Sequence, residues 1–355
     1  LTFTSLKGYE HYPCLRRLDR AAREALPLGE VTHDGRSDNA VACDMLTAIA
    51  VTYAFACQSL EGDLDALGIR WRYVPRDMLT VSPGECLRGR CPYFPGACFL
   101  HGARRRAGCS DVVVTNHSLL LRDVEAEGRI LPPIRDWVVD EAHGFEAEAR
   151  RQWAVEVSGS EARDVFERLG GTQTGALHAA MVDAMPREGS TFAIGLLTKA
   201  AASVARSTVA VADLFEAVHG LLAVARGDGG YDTLTLWLDD SVRNSEEWGA
   251  VRDAGASAAD ALDETVRALA EAAATLEAQA PQPAADLVEQ TRKLRALLAG
   301  IRLICDGTDE TYVYSAHLSR SRKRIASERL VAEKIDVGAD LADRWLPEVR
   351  SVVFT

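Results

Sequence analysis

Val138-Val-Asp-Glu-Ala-His143 is an apolar run that ends in two adjacent carboxylates and then an imidazole. If the run is a parallel strand, its carboxyl end opens at the ligand-binding edge of the sheet, and Asp140 and Glu141 face whatever binds there. Hydrolysis of a nucleoside triphosphate uses two such groups. One carboxylate holds Mg²⁺, usually through water, and a second orients and deprotonates the attacking water. Asp140 is the candidate for the metal, Glu141 for the general base, and His143 for coupling nucleotide and nucleic-acid states. A plainer reading is a helix start, where the dipole favours carboxylates; the apolar run ahead of Asp140 weighs against it. ATP chemistry also needs a phosphate-cradling loop of the form G-x-x-x-x-G-K-S/T. The sequence contains none, so either that loop precedes Leu1 or the ATPase reading fails.

A second chemistry is written in cysteine. Cys86, Cys91 and Cys98 fall within thirteen residues, and Cys14 lies far upstream. Four thiolates complete the ligand set of a tetrahedral zinc or of a 4Fe-4S cluster. Structural zinc usually takes closely paired cysteines in both halves of its site, and here only one pair is close, so spacing favours iron-sulfur over zinc and leaves no metal as the third reading. Cys109 is a weaker substitute ligand at the start of the following strand. Cys43, Cys57 and Cys305 lie in apolar helical stretches and read as core. Arg88, Arg90, Arg104, Arg105 and Arg106 make the neighbourhood cationic, a place for single-stranded DNA to touch or merely a solvated helix face.

The elements that carry these residues are legible from periodicity. Residues 81–98 hold too much Pro, Gly and Cys for helix or sheet interior, and a loop with so few core residues takes its order from a bound metal. Asp111-Val-Val-Val-Thr115 and Asp136-Trp-Val-Val-Asp140 read as strands buried on both faces of a parallel sheet. After Glu146 the chain turns Ala-, Leu- and Glu-rich. The spacing of apolar residues predicts one long helix over 246–280 and, after Pro281-Gln-Pro283, a second with Leu287, Leu294, Leu298 and Ile301 on one side, together a helical hairpin. Thr233–Leu238 and Thr311–Ser315 alternate as strands do, the first preceded by a turn signal at 227–230.

The chain has 355 residues, a net charge of −12 and eight cysteines. That length suits two or three packed domains. An acidic balance excludes a protein coated for bulk phosphate binding and confines any nucleic-acid contact to a local groove. No run of apolar residues long enough to span a bilayer and no leader stand out, which makes a cytoplasmic location the default. Leu1 at the start and the apolar Ser351-Val-Val-Phe-Thr355 at the end both read as cut.

These pieces resemble one family. Lys7-Gly8 followed by Tyr12-Pro-Cys14-Leu-Arg-Arg-Leu18, then Cys86-x4-Cys91-x6-Cys98, then Asp111-Val-Val-Val-Thr-Asn-His-Ser-Leu-Leu120, then the Val138–His143 box, are similar in order and spacing to the DinG/XPD-type DEAH-box helicases. The resemblance covers residues 1 to about 150, while 151–310 match in helical character only. Pro13 and Tyr9-Glu10-His11 depart from its pattern next to the first cysteine. It implies a partial RecA-like parallel sheet of the α/β class, with an iron-sulfur domain (1–110), motor strands with the DEAH box (111–150), a mostly α-helical arch (151–310) and a return into the motor domain (311–355). It implies a 4Fe-4S cluster on Cys14, Cys86, Cys91 and Cys98, with ATP and Mg²⁺ used by the full-length protein. Implied too are translocation on single-stranded or forked DNA, usually 5′ to 3′, in DNA repair or replication, with Asn116 and His117 lining the DNA path. The isolated chain, without a phosphate loop or second motor domain, is expected to be inactive and to leave an exposed sheet edge or dimerise. Two readings compete with the helicase fragment: a non-catalytic metal-stabilised nucleic-acid- or protein-binding module, and a nuclease-associated protein, for which the sequence holds no acidic cluster of its own. His117 reads equally as a strand-end hydrogen-bonding histidine, and the basic run at 320–324 as phosphate contact or plain exposure. Trp237 and Trp248 read as core or interface.

Overall fold

A computed structural model describes residues 1–25, 36–69, 76–83, 85–185, 190–226, 233–277, 280–319 and 327–355. The turn signal at 227–230 and the basic run at 320–324 lie outside the described residues. The chain divides into two compact units, 1–152 with 338–355, and 153–337. The first holds β1 (Phe3–Ser5), α1 (Leu15–Ala25), α2 (Arg36–Gln58), α3 (Phe99–Cys109), β2 (Val112–Val114), α4 (His117–Glu125), β3 (Asp136–Val139) and α5 (Phe145–Gln152). The second holds β4 (Val155–Ser158), α6 (Gly159–Leu169), α7 (Gly175–Ala184), α8 (Ser190–Arg226), β5 (Thr233–Trp237), α9 (Asp240–Arg243), α10 (Glu246–Leu276), α11 (Pro281–Asp306), β6 (Tyr312–Ser319) and β7 (Ser327–Lys334). The chain then re-enters the first unit as α12 (Gly338–Arg344) and β8 (Ser351–Phe354).

The architecture is mixed α/β with parallel strands. In the first unit β1 pairs with β2, Phe3 opposite Val112, and β3 pairs with β8, Trp137 opposite Val352 and Val139 opposite Phe354, both parallel. The sequence pattern predicts strands covered on both faces. Instead the pleat sends alternate side chains to opposite sides, and only one side is packed: Val139 is buried while Val138 is 72% exposed, and Val112 and Val114 are exposed as well.

The second unit is built on α8, α10 and α11. Ser245 caps α10 by accepting from the Trp248 N–H, with Glu246 and Glu247 in the first turn, where the dipole favours them. Pro281 starts α11, and Gly307, in the left-handed region at φ 57°, ends it by donating to the Leu303 carbonyl. The apolar stripe of α10, Trp248 to Leu276, joins Leu214 and Leu222 of α8 and Leu287, Leu294 and Ile301 of α11 in one core. Inside it a buried Ser207–Thr265 hydrogen bond of 2.8 Å ties α8 to α10. β5 and β6 are the two alternating segments read from sequence, and they pair antiparallel in a sheet ordered β4-β7-β6-β5. Re-entry into the first unit comes at Gly338, later than the 311 read from sequence, because β6 and β7 belong to this sheet. Trp248 is core, whereas Trp237 is exposed on β5, one of the two edge strands of this sheet.

Two sequence readings are corrected here. Cys43 and Cys57 are exposed, since α2 turns Ala48, Ile49 and Thr52 inward and leaves both cysteines off that stripe; Cys305 is buried. An apolar stretch long enough to cross a membrane by length and composition also exists, Ser190–Ala225. Many of its apolar side chains, among them Leu197, Val204, Val211, Leu214 and Val218, belong to the core just described.

Candidate functional site

Four cysteines from separate segments meet in the first unit. Cys14, Cys86, Cys91 and Cys98 line one slot, together with Tyr9, Tyr12, Arg88, Phe94 and His101. Cys14 ends the segment before α1, where its backbone N–H donates to the Leu79 carbonyl at 2.8 Å. Cys98 is the residue before α3, and Cys86 and Cys91 bracket a short 3-10 turn at Arg88–Arg90. Glu85 fastens this loop to α1: its carboxylate pairs with Arg17 at 2.6 Å and accepts from Ser82, while its carbonyl accepts from Arg16 at 3.1 Å. Both ions of the Arg17–Glu85 pair are largely shielded, so the fastening is stronger than an exposed pair.

Two of the thiols sit at helix starts, where unpaired N–H groups favour negative charge. Burial pushes the Cys14 thiol up, opposed by the Arg17 backbone N–H and the Arg16 charge. Burial also pushes Cys98 up, opposed by the His101 backbone N–H and reinforced by the thiols of Cys86, Cys14 and Cys91. None of the eight cysteines is in a disulfide. Among the described residues no three His, Cys, Asp or Glu side chains stand at the spacing a single ion needs. A cluster spreads its four thiolates over four irons and so takes them further apart than one zinc does. The slot itself is narrow, about 30 Å³. On its outer side Arg88, Gly89 and Arg90 of the loop are exposed, and a Cβ built at Gly89 or Gly96 meets nothing within 4 Å. Four cysteine sulfurs are a donor set of the kind that a 4Fe-4S cluster takes.

The strand-end carboxylates lie in the same unit. β3 pairs parallel with β8, and the chain leaves its carboxyl end at Asp140 and Glu141, both exposed. Asp140 Oδ1 accepts from the Glu141 N–H and from the Thr355 hydroxyl, each at 3.0 Å. Glu141 adopts the left-handed conformation, φ 52° and ψ 42°, which a non-glycine residue occupies at a cost. That twist ends the strand and begins a short 3-10 turn, Ala142–Gly144, which runs directly into α5, so the helix start considered from sequence follows immediately after the two carboxylates. His143 Nδ1 lies 3.4 Å from Glu141 Oε2, both side chains facing solvent.

The nucleic-acid candidates divide. Arg88 lines the slot at φ 48°, Arg90 and Arg105 are exposed, and Arg104 lies 5.0 Å over the Tyr9 ring. Asn116 is committed to capping α4 through the Leu119 N–H, and His117 donates from Nε2 to the Asp140 carbonyl at 2.9 Å. His117 therefore takes the hydrogen-bonding role weighed for it from sequence, and joins the β2–α4 corner to the carboxylate-bearing strand end. Cys109 is exposed at the end of α3 and does not line the slot.

Sequence reasoning missed two features. His101 lies on the slot, with Nε2 4.0 Å from Cys86 Sγ; its signal was its place three residues after Cys98, in the first turn of the helix that follows. The other is an aromatic run, Trp137 to Trp345 at 6.1 Å, Trp345 to Phe145 at 5.5 Å and Phe145 to His117 at 5.2 Å, which buttresses the strand end from behind. Trp137 and Trp345 also line a cleft of about 800 Å³.

Comparison with known proteins finds relatives over part of the chain. Over 153 residues the chain is 37% identical to the ATP-dependent helicase DinG of Mycobacterium tuberculosis (strain ATCC 25618 / H37Rv), covering 40% of this chain and 21% of that protein. It is 26% identical over 169 residues to the ATP-dependent DNA helicase YoaA of Escherichia coli (strain K12), covering 46% and 24%. Over 176 residues it is 27% identical to the 3′-5′ exonuclease DinG of Bacillus subtilis (strain 168), covering 48% and 17%. No family model matches. The chain spans about a fifth of the length of the curated relatives it matches, and over that span it is similar to DinG- and YoaA-type ATP-dependent helicases.

Proposed function

We propose that this chain is the middle portion of an ATP-dependent, iron-sulfur DNA helicase of the DinG type, translocating 5′ to 3′ on single-stranded or forked DNA in repair or replication. The observation that carries the reading is the meeting of Cys14, Cys86, Cys91 and Cys98 in one slot, in a chain whose β3 ends in two carboxylates. In this reading residues 1–110 are the cluster domain with flanking motor segments, 111–152 and 338–355 are RecA-like motor strands, and 153–337 are the arch insertion.

The residues divide the work. Cys14, Cys86, Cys91 and Cys98 hold the 4Fe-4S cluster, which when bound clamps α1 to a loop with few core residues of its own. Asp140 holds Mg²⁺ through water and Glu141 takes the proton of the attacking water when ATP is supplied by the phosphate loop of the longer protein. His143, beside Glu141, reports nucleotide state to the DNA path. Arg88, Arg90, Arg104 and Arg105 meet the DNA backbone, while Asn116 and His117 fix the corner they border.

The test uses anaerobically purified chain and a Cys91→Ser variant, assayed for iron, acid-labile sulfide and visible absorption. About four irons per chain, lost in the variant, supports the reading; stoichiometric zinc without iron replaces it with a metal-stabilised binding module. The isolated chain is expected to show no DNA-stimulated ATP turnover, and measurable turnover refutes the division of labour between this portion and the rest.

A further inference from the structure

We propose that His101 is a positioning residue for the cluster: its Nε2–H donates to the sulfur of Cys86 and raises the cluster's reduction potential. This rests on the cluster reading above. His101 stands in the first turn of α3, three residues after Cys98, the residue that precedes the helix, and both line the slot. Nε2 stands 4.0 Å from Cys86 Sγ. The ring is pinned, with Phe94 against it edge-on at 4.8 Å and 87°. A thiolate sulfur offers an imidazole N–H only an acceptor.

The direction of the effect follows from charge. Reduction adds one electron to the cluster and its sulfurs, and an N–H aimed at a ligand sulfur stabilises the more negative state more than the less negative one. None of the four thiolates is replaced in this arrangement, so His101 shifts the potential without changing the iron count.

The experiment compares the whole chain with His101→Phe, which keeps a packed ring without the N–H, His101→Ala, and His101→Gln, which restores a donor. Each is purified anaerobically, checked for iron and sulfide, and titrated with dithionite through redox dyes while the visible band is followed. Full iron in all four proteins is expected. At one applied potential, Phe and Ala should hold about tenfold less reduced cluster than wild type, 59 mV for one electron, and Gln should recover much of the loss. An unchanged potential in Phe and Ala, or an equal loss in Gln, overturns the proposal. Iron lost from Phe and Ala overturns it too, by making His101 a ligand. A wild-type chain without iron instead removes the cluster reading beneath it.

Discussion

Glycine should be more stable than alanine at position 141, the reverse of the usual order. Glu141 holds φ 52° and ψ 42°, where a Cβ costs about 1–2 kcal/mol. Glycine escapes that cost but loses about 0.5–1 kcal/mol more chain entropy on folding. The balance favours Glu141→Gly over Glu141→Ala by about 0–1.5 kcal/mol, centred near 0.75. The turn is pinned from both sides, by the Gly144 N–H on the Glu141 carbonyl at 2.9 Å and by the Glu141 N–H on Asp140, so the conformation survives truncation. Ala147, exposed in the middle of α5, is the control: Ala147→Gly should cost about 1 kcal/mol. Urea unfolding followed by tryptophan emission reads both comparisons. With a slope of about 1.5 kcal/mol/M, the Gly variant at 141 should unfold about 0.5 M above the Ala variant. If glycine is the less stable residue at 141 by the amount seen at 147, the backbone at the strand end is ordinary and the strain argument is wrong.

Other outcomes follow from single contacts. A Cβ built at Gly255 comes 2.6 Å from Cys305 Sγ, so Gly255→Ala should destabilise by about 1–3 kcal/mol through overpacking, less the roughly 1 kcal/mol of helix propensity it gains. In a Cys305→Ala background the same change should stabilise, and a double-mutant cycle without coupling would contradict the packing. Burial pushes Cys305 up to about 11 from an ordinary value of 9.0. Its folded value lies above its unfolded one, so its contribution holds below pH 9 and fades as pH rises toward 11; under native conditions it should alkylate last, after exposed Cys43, Cys57 and Cys109. Asp65 is pushed up by burial, but bonds from Arg76, Lys7 and His11 outweigh this and hold it well below the carboxylate range. That stability is present above about pH 4 and lost as pH falls further, so Asp65→Asn should lower stability at about pH 6 and flatten the acid limb of a stability-against-pH curve.

Much of this was written in local pattern. The stripe from Trp248 to Leu276, the proline at 281 and the alternation at 233–237 each sufficed to name their element. α8 was hidden because its Ala- and Val-rich surface is apolar on more than one side, so no single stripe stands out. β7 was hidden because Ser327 to Lys334 mixes Glu, Arg and Lys with its apolar residues. At the site, cysteine spacing named the four residues of the slot, while His101 was missed because a lone histidine three residues from a cysteine has many bland explanations. Chain direction alone could not show that Asn116 caps a helix or that the Asp140 carbonyl, rather than its carboxylate, engages His117.

The pairing of β3 with β8 joins residues about 215 positions apart, as the Thr355–Asp140 bond records. For an open chain, closing such a loop scales as (3/2)RT ln n, about 5 kcal/mol, far more than two four-residue strands recover alone. The 153–337 unit has its own core and can fold first, replacing that long random loop with a body of fixed span. During synthesis, therefore, β3 cannot meet β8 until residues 351–354 have emerged, and the insertion between the two strands sets the order in which they can meet.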